Sequence, residues 1–168
     1  NASRCKACPE GYSRGSRGQA SCLPCIPREF GNTTGMKTCH NCPIGKVSNS
    51  SFQTYCSDCE VGKSSNTEGS AKCTPCGAGM YGKTKGEDCV LCEAGRYRNS
   101  SDPDTDKCRE CSRGMEAREV GSSSCQNCEL GTYGKAPGQC EACGPGKYQD
   151  GRGKNNCKDC DPDTYLAE

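Results

Sequence analysis

The chain has no tryptophan, one histidine and two phenylalanines in 168 residues. Leucine, isoleucine, valine and phenylalanine together number only 12, too few for a chain of this length to bury an ordinary hydrophobic core. Ordering each residue costs roughly 1–2 kcal/mol of backbone entropy, which apolar burial on this scale cannot offset. No apolar run reaches the length of a membrane span or a signal-peptide core. An excess of charge is missing too: 22 basic and 21 acidic residues are interspersed, for a net charge of +1. Without a basic stripe, nucleic acid and anionic membrane surfaces are excluded as expected partners. The first residue is Asn rather than Met, as expected of a mature product or a fragment.

What the chain has instead is cysteine. Twenty cysteines form ten C-x-x-C pairs, starting at Cys5, Cys22, Cys39, Cys56, Cys73, Cys89, Cys108, Cys125, Cys140 and Cys157. A nearly fixed period of this kind marks a repeat architecture. A disulfide closing a loop of ~15 residues removes roughly 3 kcal/mol of unfolded-state freedom, so the sulfurs are expected to do the work of the missing core. Cysteine at this density implies an oxidising compartment, secreted or at the cell surface. Four N-x-[ST] sequons, at Asn1, Asn32, Asn49 and Asn99, point the same way as candidate N-glycosylation sites. Three of them lie seven residues after the second cysteine of a pair, namely Cys25, Cys42 and Cys92.

Aligned on their cysteines, the repeats follow the formula C-x-x-C-x-x-G-x-[YFV]-x-x-x-x-G-x-x-x. The first glycine recurs at Gly11, Gly45, Gly62, Gly79, Gly95, Gly114, Gly131 and Gly146, with Arg28 and Asp163 as exceptions whose turns are expected to differ. It predicts a turn with positive φ directly after the second cysteine. The aromatic that follows, as in Tyr81, Tyr97 and Tyr148, is expected to lie over a disulfide or a neighbouring loop as a miniature core. Tyr12 comes one residue early. The short segments are β-compatible and none carries a helical stripe. The fold class expected is therefore small disulfide-rich repeats: an elongated tandem array of short β-ribbons and turns, with almost no helix and no large hydrophobic core.

A weaker signal runs at twice the period. The residue after the second cysteine is Pro9, Pro43, Gly77, Ser112 and Gly144 in odd repeats but Ile26, Glu60, Glu93, Glu129 and Asp161 in even ones. It suggests two-repeat units with boundaries at 1–38, 39–72, 73–107, 108–139 and 140–168. The matching connectivity joins like cysteines inside each unit: Cys5–Cys22, Cys8–Cys25, Cys39–Cys56, Cys42–Cys59, Cys73–Cys89, Cys76–Cys92, Cys108–Cys125, Cys111–Cys128, Cys140–Cys157 and Cys143–Cys160. Its rival is a ladder in which each second cysteine joins the next first cysteine, leaving Cys5 and Cys160 over. Sequence does not fix this choice; the paired form is the expectation.

The formula resembles the ephrin-receptor-like cysteine-rich repeat, C-x-x-C-P-x-G-x-Y-S followed by a glycine and the next C-x-x-C. Cys5-Lys6-Ala7-Cys8-Pro9-Glu10-Gly11 and Cys39-His40-Asn41-Cys42-Pro43-Ile44-Gly45 carry the likeness. It is similar also to furin-like and tumour-necrosis-factor-receptor-like modules and to cysteine-rich surface proteins of protists. The resemblance implies the fold; no ligand-binding motif of these families is present to carry over.

Other chemistries are expected to be absent. Zinc at paired C-x-x-C motifs would imply an intracellular protein, against the aligned sequons. Thioredoxin-like chemistry needs a βαβ scaffold. His40, the only histidine, lies within a C-x-x-C and has no triad partner. Asp102-Pro103-Asp104-Thr105-Asp106 resembles the start of a calcium loop, but Lys107 replaces the required glycine and Arg113 the bidentate glutamate, so a solvated acidic turn is expected. Ser64-Ser65 and Ser122-Ser123-Ser124 are left open between O-glycan sites and plain turns. The expectation is a non-enzymatic extracellular structural glycoprotein without cofactor or metal, serving as a rod-like spacer, surface coat or filament subunit. Its partners would be itself or other extracellular proteins, besides N-linked glycans. The alternative is the ligand-binding ectodomain of a cell-surface receptor.

Overall fold

The structure, a computed structural model, describes residues 5–18 and 20–162. Among these there is no helix, and every strand belongs to a two-stranded antiparallel hairpin. The first four hairpins pair β1 (Tyr12–Ser13) with β2 (Leu23–Pro24), β3 (Glu29–Phe30) with β4 (His40–Asn41), β5 (Lys46–Val47) with β6 (Ser57–Asp58) and β7 (Lys63–Ser64) with β8 (Thr74–Pro75). Next come β9 (Met80–Tyr81) with β10 (Val90–Leu91), β11 (Arg96–Tyr97) with β12 (Arg109–Glu110) and β13 (Met115–Glu116) with β14 (Gln126–Asn127). The last two are β15 (Thr132–Ala136) with β16 (Gln139–Ala142) and β17 (Lys147–Tyr148) with β18 (Lys158–Asp159). In chain order these are hairpins 1 to 9, each running from the residue after one second cysteine to the next second cysteine.

One set of local rules builds each hairpin. In hairpin 1, the Tyr12 N–H donates to the Pro9 carbonyl at 3.2 Å, and Gly11, third in that turn, has φ +78°. A type II turn demands positive φ at that place. After the loop, the Cys25 N–H donates to the Gly11 carbonyl at 2.8 Å, extending the two-residue ladder by one bond. The same bond recurs down the chain, from Cys42 to Arg28, from Cys59 to Gly45, and so on to Cys160 and Gly146. Where Arg28 replaces glycine the turn is unchanged. Arg28 takes φ +86° and keeps every bond of the pattern, so the expectation of a different turn fails there; Asp163 lies outside the described residues.

The disulfides form the ladder, not the paired scheme. The rungs are Cys8–Cys22, Cys25–Cys39, Cys42–Cys56, Cys59–Cys73, Cys76–Cys89, Cys92–Cys108, Cys111–Cys125, Cys128–Cys140 and Cys143–Cys157. Hairpin register is the reason. A second cysteine immediately precedes the turn into the first strand, and the next first cysteine immediately precedes the second strand. Antiparallel pairing therefore brings these two to Cα separations of 5.6–5.8 Å, inside the range a disulfide requires. This corrects all ten expected bonds: Cys5–Cys22, Cys8–Cys25, Cys39–Cys56, Cys42–Cys59, Cys73–Cys89, Cys76–Cys92, Cys108–Cys125, Cys111–Cys128, Cys140–Cys157 and Cys143–Cys160. Cys5 and Cys160 are free. Rungs also cross the four expected unit boundaries, at Cys25–Cys39, Cys59–Cys73, Cys92–Cys108 and Cys128–Cys140.

By compactness the chain divides into two units, one running up to Cys76 and including Gly82–Cys89, the other formed by Gly77–Tyr81 and the residues from Val90 onward. In both units the buried apolar side chains are cysteines, with Ala117 the one exception among the described residues. Cys25, Cys42, Cys59, Cys92 and Cys128 are fully enclosed, whereas no tyrosine or phenylalanine among the described residues is buried. The strand aromatics, Tyr12, Phe30, Tyr81, Tyr97, Tyr133 and Tyr148, are half-covered while Phe52 and Tyr55 are exposed in a loop, and the miniature core is the rung itself. Tyr12, one place early, meets Phe52 with ring centroids 5.3 Å apart.

Candidate functional site

The most densely determined feature is the interface between repeats. Turn residues donate their N–H to a carbonyl of the next hairpin: Gly11 to Gly31 at 2.8 Å, Arg28 to Ser48 at 2.8 Å, Gly62 to Gly82 at 3.0 Å and Gly95 to Ala117 at 2.7 Å. A second set skips one hairpin. The loop residues Phe52, Gly69, Gly86, Gly121 and Gly153 donate to the carbonyls of Cys25, Cys42, Cys59, Cys92 and Cys128 at 2.7–2.9 Å. Hairpins n and n+2 are so close here that a Cβ on Gly45 would lie 2.3 Å from the Gly86 oxygen, and one on Gly79 only 1.9 Å from the Gly121 oxygen. Glycine is required at these turns both by φ and by contact. Phe52 occupies the loop-glycine position of its repeat and takes φ +66°. Sequence reading missed it, because phenylalanine by itself argues against positive φ.

Side chains reinforce the stack. In several repeats the residue before the second cysteine caps the loop glycine of a later hairpin, as Asn41 does for Gly69, Asp58 for Gly86 and Leu91 for Gly121. Cross-strand ion pairs recur at one register, Lys46 with Asp58, Arg96 with Glu110 and Lys147 with Asp159. The ammonium of Lys46 holds the Asp58 carboxyl below its ordinary range, and Lys158 does the same to Asp150.

The acidic insertion in hairpin 6 is not a plain solvated turn. Asp102 is buried, accepts the Asn99 N–H at 2.9 Å and pairs with Arg109 at 3.1 Å. Arg98, 1% exposed, donates Nε to the Asp104 carbonyl at 3.1 Å and a terminal nitrogen to the carbonyls of Gly77 and Met80 at 2.7 and 2.8 Å. This buried arginine clamps the turn of hairpin 5 to the insertion, and sequence reading did not single it out. Among the described residues no group of three His, Cys, Asp or Glu is placed to hold a metal ion.

Of the sequon residues, Asn32 and Asn49 are exposed and Asn99 is half-exposed, while Asn1 lies outside the described residues. Asn99 Oδ1 accepts both the N–H and the hydroxyl of Ser101 at 2.9 Å. Ser64 and Ser65 are buried and spend their hydroxyls on Asp88 and the Lys46 carbonyl, which removes them as O-glycan sites in the folded chain. Ser123 and Ser124 are exposed, and His40 lies exposed beside Phe30, with ring centroids 5.8 Å apart.

In the second unit an open cleft of about 570 Å³ is flanked by Arg96, Glu110, Glu116 and Arg118. Its charges are already matched, Arg96 with Glu110 and Arg118 with Glu116 at 2.5 and 2.6 Å, so no unanswered charge is aimed into it. Among the described residues no helix is long and apolar enough to cross a membrane. The chain is thus a tandem cysteine-rich repeat protein of disulfide-closed hairpins, a design that fits an extracellular protein. No protein-family model matches the chain, and no curated protein is similar to it.

Proposed function

We propose that this chain is an extracellular structural glycoprotein, acting as a spacer, coat or filament subunit without catalytic activity. The observation that carries this reading is the use of backbone. Turn and loop N–H groups are committed to neighbouring hairpins, and glycine backbones of hairpins two apart approach so closely that a Cβ on Gly45 or Gly79 would collide with Gly86 or Gly121. Such construction supports mechanical continuity from repeat to repeat rather than a concave site for a small ligand. Exposed sequons at Asn32 and Asn49 support hydration and protease resistance. The receptor alternative would use the cleft beside Arg96 and Arg118, whose internally matched charges speak for a structural surface instead.

The test is small-angle scattering on oxidised, glycosylated protein, with glycan mapping at Asn1, Asn32, Asn49 and Asn99. A compact domain of this length has a radius of gyration of about 15 Å. The spacer reading expects a clearly larger value, unchanged after enzymatic deglycosylation, and occupied asparagines. A value near the compact one overturns it.

A further inference from the structure

We propose that the exposed aromatic face at Phe52 is a seat for the chain's own glycan, the first N-acetylglucosamine on Asn49 packing its C–H face against the ring. This rests on the glycoprotein reading above and deepens it at one site.

The loop of hairpin 3 departs from a rule that the other loops keep. In hairpins 1, 2, 4, 5, 7, 8 and 9 the residue ten places after the second cysteine is a glycine, with φ between +64° and +80°. Hairpin 6, whose loop is longer, has Asp102 there. In hairpin 3 the place belongs to Phe52, at φ +66°. Its backbone does what the glycine does elsewhere. The Phe52 N–H donates to the Cys25 carbonyl at 2.9 Å, and a Cβ on Gly11 would lie 2.4 Å from the Phe52 oxygen. A bulky residue at positive φ is strained, and strain kept where glycine would serve points to a use for the side chain. That use is not burial within the protein. Phe52 is 54% exposed, and its one ring contact is Tyr12, itself half-covered, with centroids 5.3 Å apart and planes tilted by 52°. Tyr55, in the same loop, is 65% exposed. An aromatic face left in water gains from an apolar surface that covers it.

The same loop supplies the cover. Asn49-Ser50-Ser51 is a sequon, and Asn49 stands three residues before Phe52. Asn49 is exposed. Ser50 Oγ donates to Asn49 Oδ1 at 3.4 Å, while Nδ2, the atom that carries a glycan, has no hydrogen-bond partner among the described residues. The loop is braced from within: Gln53 Nε2 donates to Ser50 Oγ at 3.0 Å, and Ser48 Oγ donates to the Ser50 carbonyl at 3.1 Å. Three residues span at most about 11 Å when extended, and Ser51 and Phe52 lie in a turn, which shortens the distance. An asparagine side chain with one sugar ring bridges it. A pyranose presents C–H groups on its face and hydroxyls on its rim, so it covers a ring without stranding a polar group. Hairpin 2 provides a comparison within the chain. Asn32 is exposed at the same place, seven residues after its second cysteine, with Gly35 where hairpin 3 has Phe52.

The experiment uses the oxidised chain secreted from eukaryotic cells with isotope-labelled glycans, trimmed enzymatically to one N-acetylglucosamine per site. It is compared with Phe52→Gly, a variant that keeps the fold because equivalent loops carry glycine. Sugar protons on Asn49 should lie upfield of those in an unfolded glycopeptide, shifted by the ring current, and should return to ordinary positions in Phe52→Gly. The sugar on Asn32 should not respond to that substitution. The residue 52 amide should exchange about fivefold faster in Asn49→Gln than in the glycosylated chain, and this difference should vanish when both carry Phe52→Gly. Ordinary sugar shifts on an occupied Asn49, or exchange indifferent to its glycan, overturn the proposal and leave the glycoprotein reading standing. A bare Asn49 beside an occupied Asn32 overturns it as well, whereas bare asparagines at every sequon remove the glycoprotein reading with it.

Discussion

At the residue scale the fold is a matter of which positions tolerate a Cβ. Gly79 has φ +73° and faces the Gly121 oxygen, while Gly77, two residues away, has an ordinary φ and open space. Gly79→Ala should therefore lower stability by a few kcal/mol, combining backbone strain with a steric clash, whereas Gly77→Ala should change it by less than about 1 kcal/mol. Arg28 offers the reverse case, since an L-residue in the left-handed region carries roughly 1 kcal/mol of strain. Arg28→Gly should raise the urea midpoint, an effect of about 1 kcal/mol; a lowered midpoint would mean that the Arg28 side chain holds something more valuable than its backbone loses. Most of these positions were legible, because a glycine recurring at a fixed distance from cysteine marks a backbone that must turn with positive φ. Arg28 and Phe52 were not, because their own identities argue against positive φ; the repeat's neighbours, bonded in the same way on both sides, impose it.

At the element scale every hairpin is too short to stand alone, with two paired residues per strand in most cases. A rung, a turn bond and a cross-strand pair make each one viable. The sequence showed the turns and the short strands, and it showed a two-repeat period. It did not show what the period meant. Hairpins of like parity touch, Gly45 against Gly86 and Gly95 against Gly138, which produces an alternation without any two-repeat covalent unit; reading it as the connectivity led to the wrong bonds. Ion pairs add a pH signature. Asp58, Asp150 and Glu141 have carboxyls held low by Lys46, Lys158 and Lys135. A lowered folded-state value means that the contribution is complete above the ordinary carboxylate range and is lost as pH falls through the lowered values. Melting temperature should therefore be flat around neutrality and drop only in strong acid. The drop should be small and weakened by salt, since the groups are exposed. A decline beginning near pH 6 would contradict this assignment.

At the scale of the whole molecule, stability comes from cross-links and backbone register rather than apolar area. The described residues bury almost nothing apolar besides cysteine, Ala117 being the exception. Each rung closes a sequence separation of 12–16 residues, worth roughly 3 kcal/mol in unfolded-state entropy, and no second source of comparable size is present to take over. Partial survival without disulfides is thus not expected. Full reduction should convert the chain to an ensemble whose amides exchange at unprotected rates and whose hydrodynamic size matches an unfolded chain of this length. Zinc distinguishes a disulfide-built fold from a metal-built one, because paired thiols in C-x-x-C motifs also suit that ion. Adding zinc to the reduced chain should not restore the protection pattern, since the rungs join cysteines of successive motifs through hairpin register and leave no four sulfurs around a common centre. Reoxidation in a glutathione buffer should restore it, with peptides linking Cys25 to Cys39 and Cys59 to Cys73. Recovery of native protection with zinc alone would show that the thiolates, not the disulfides, organise the fold.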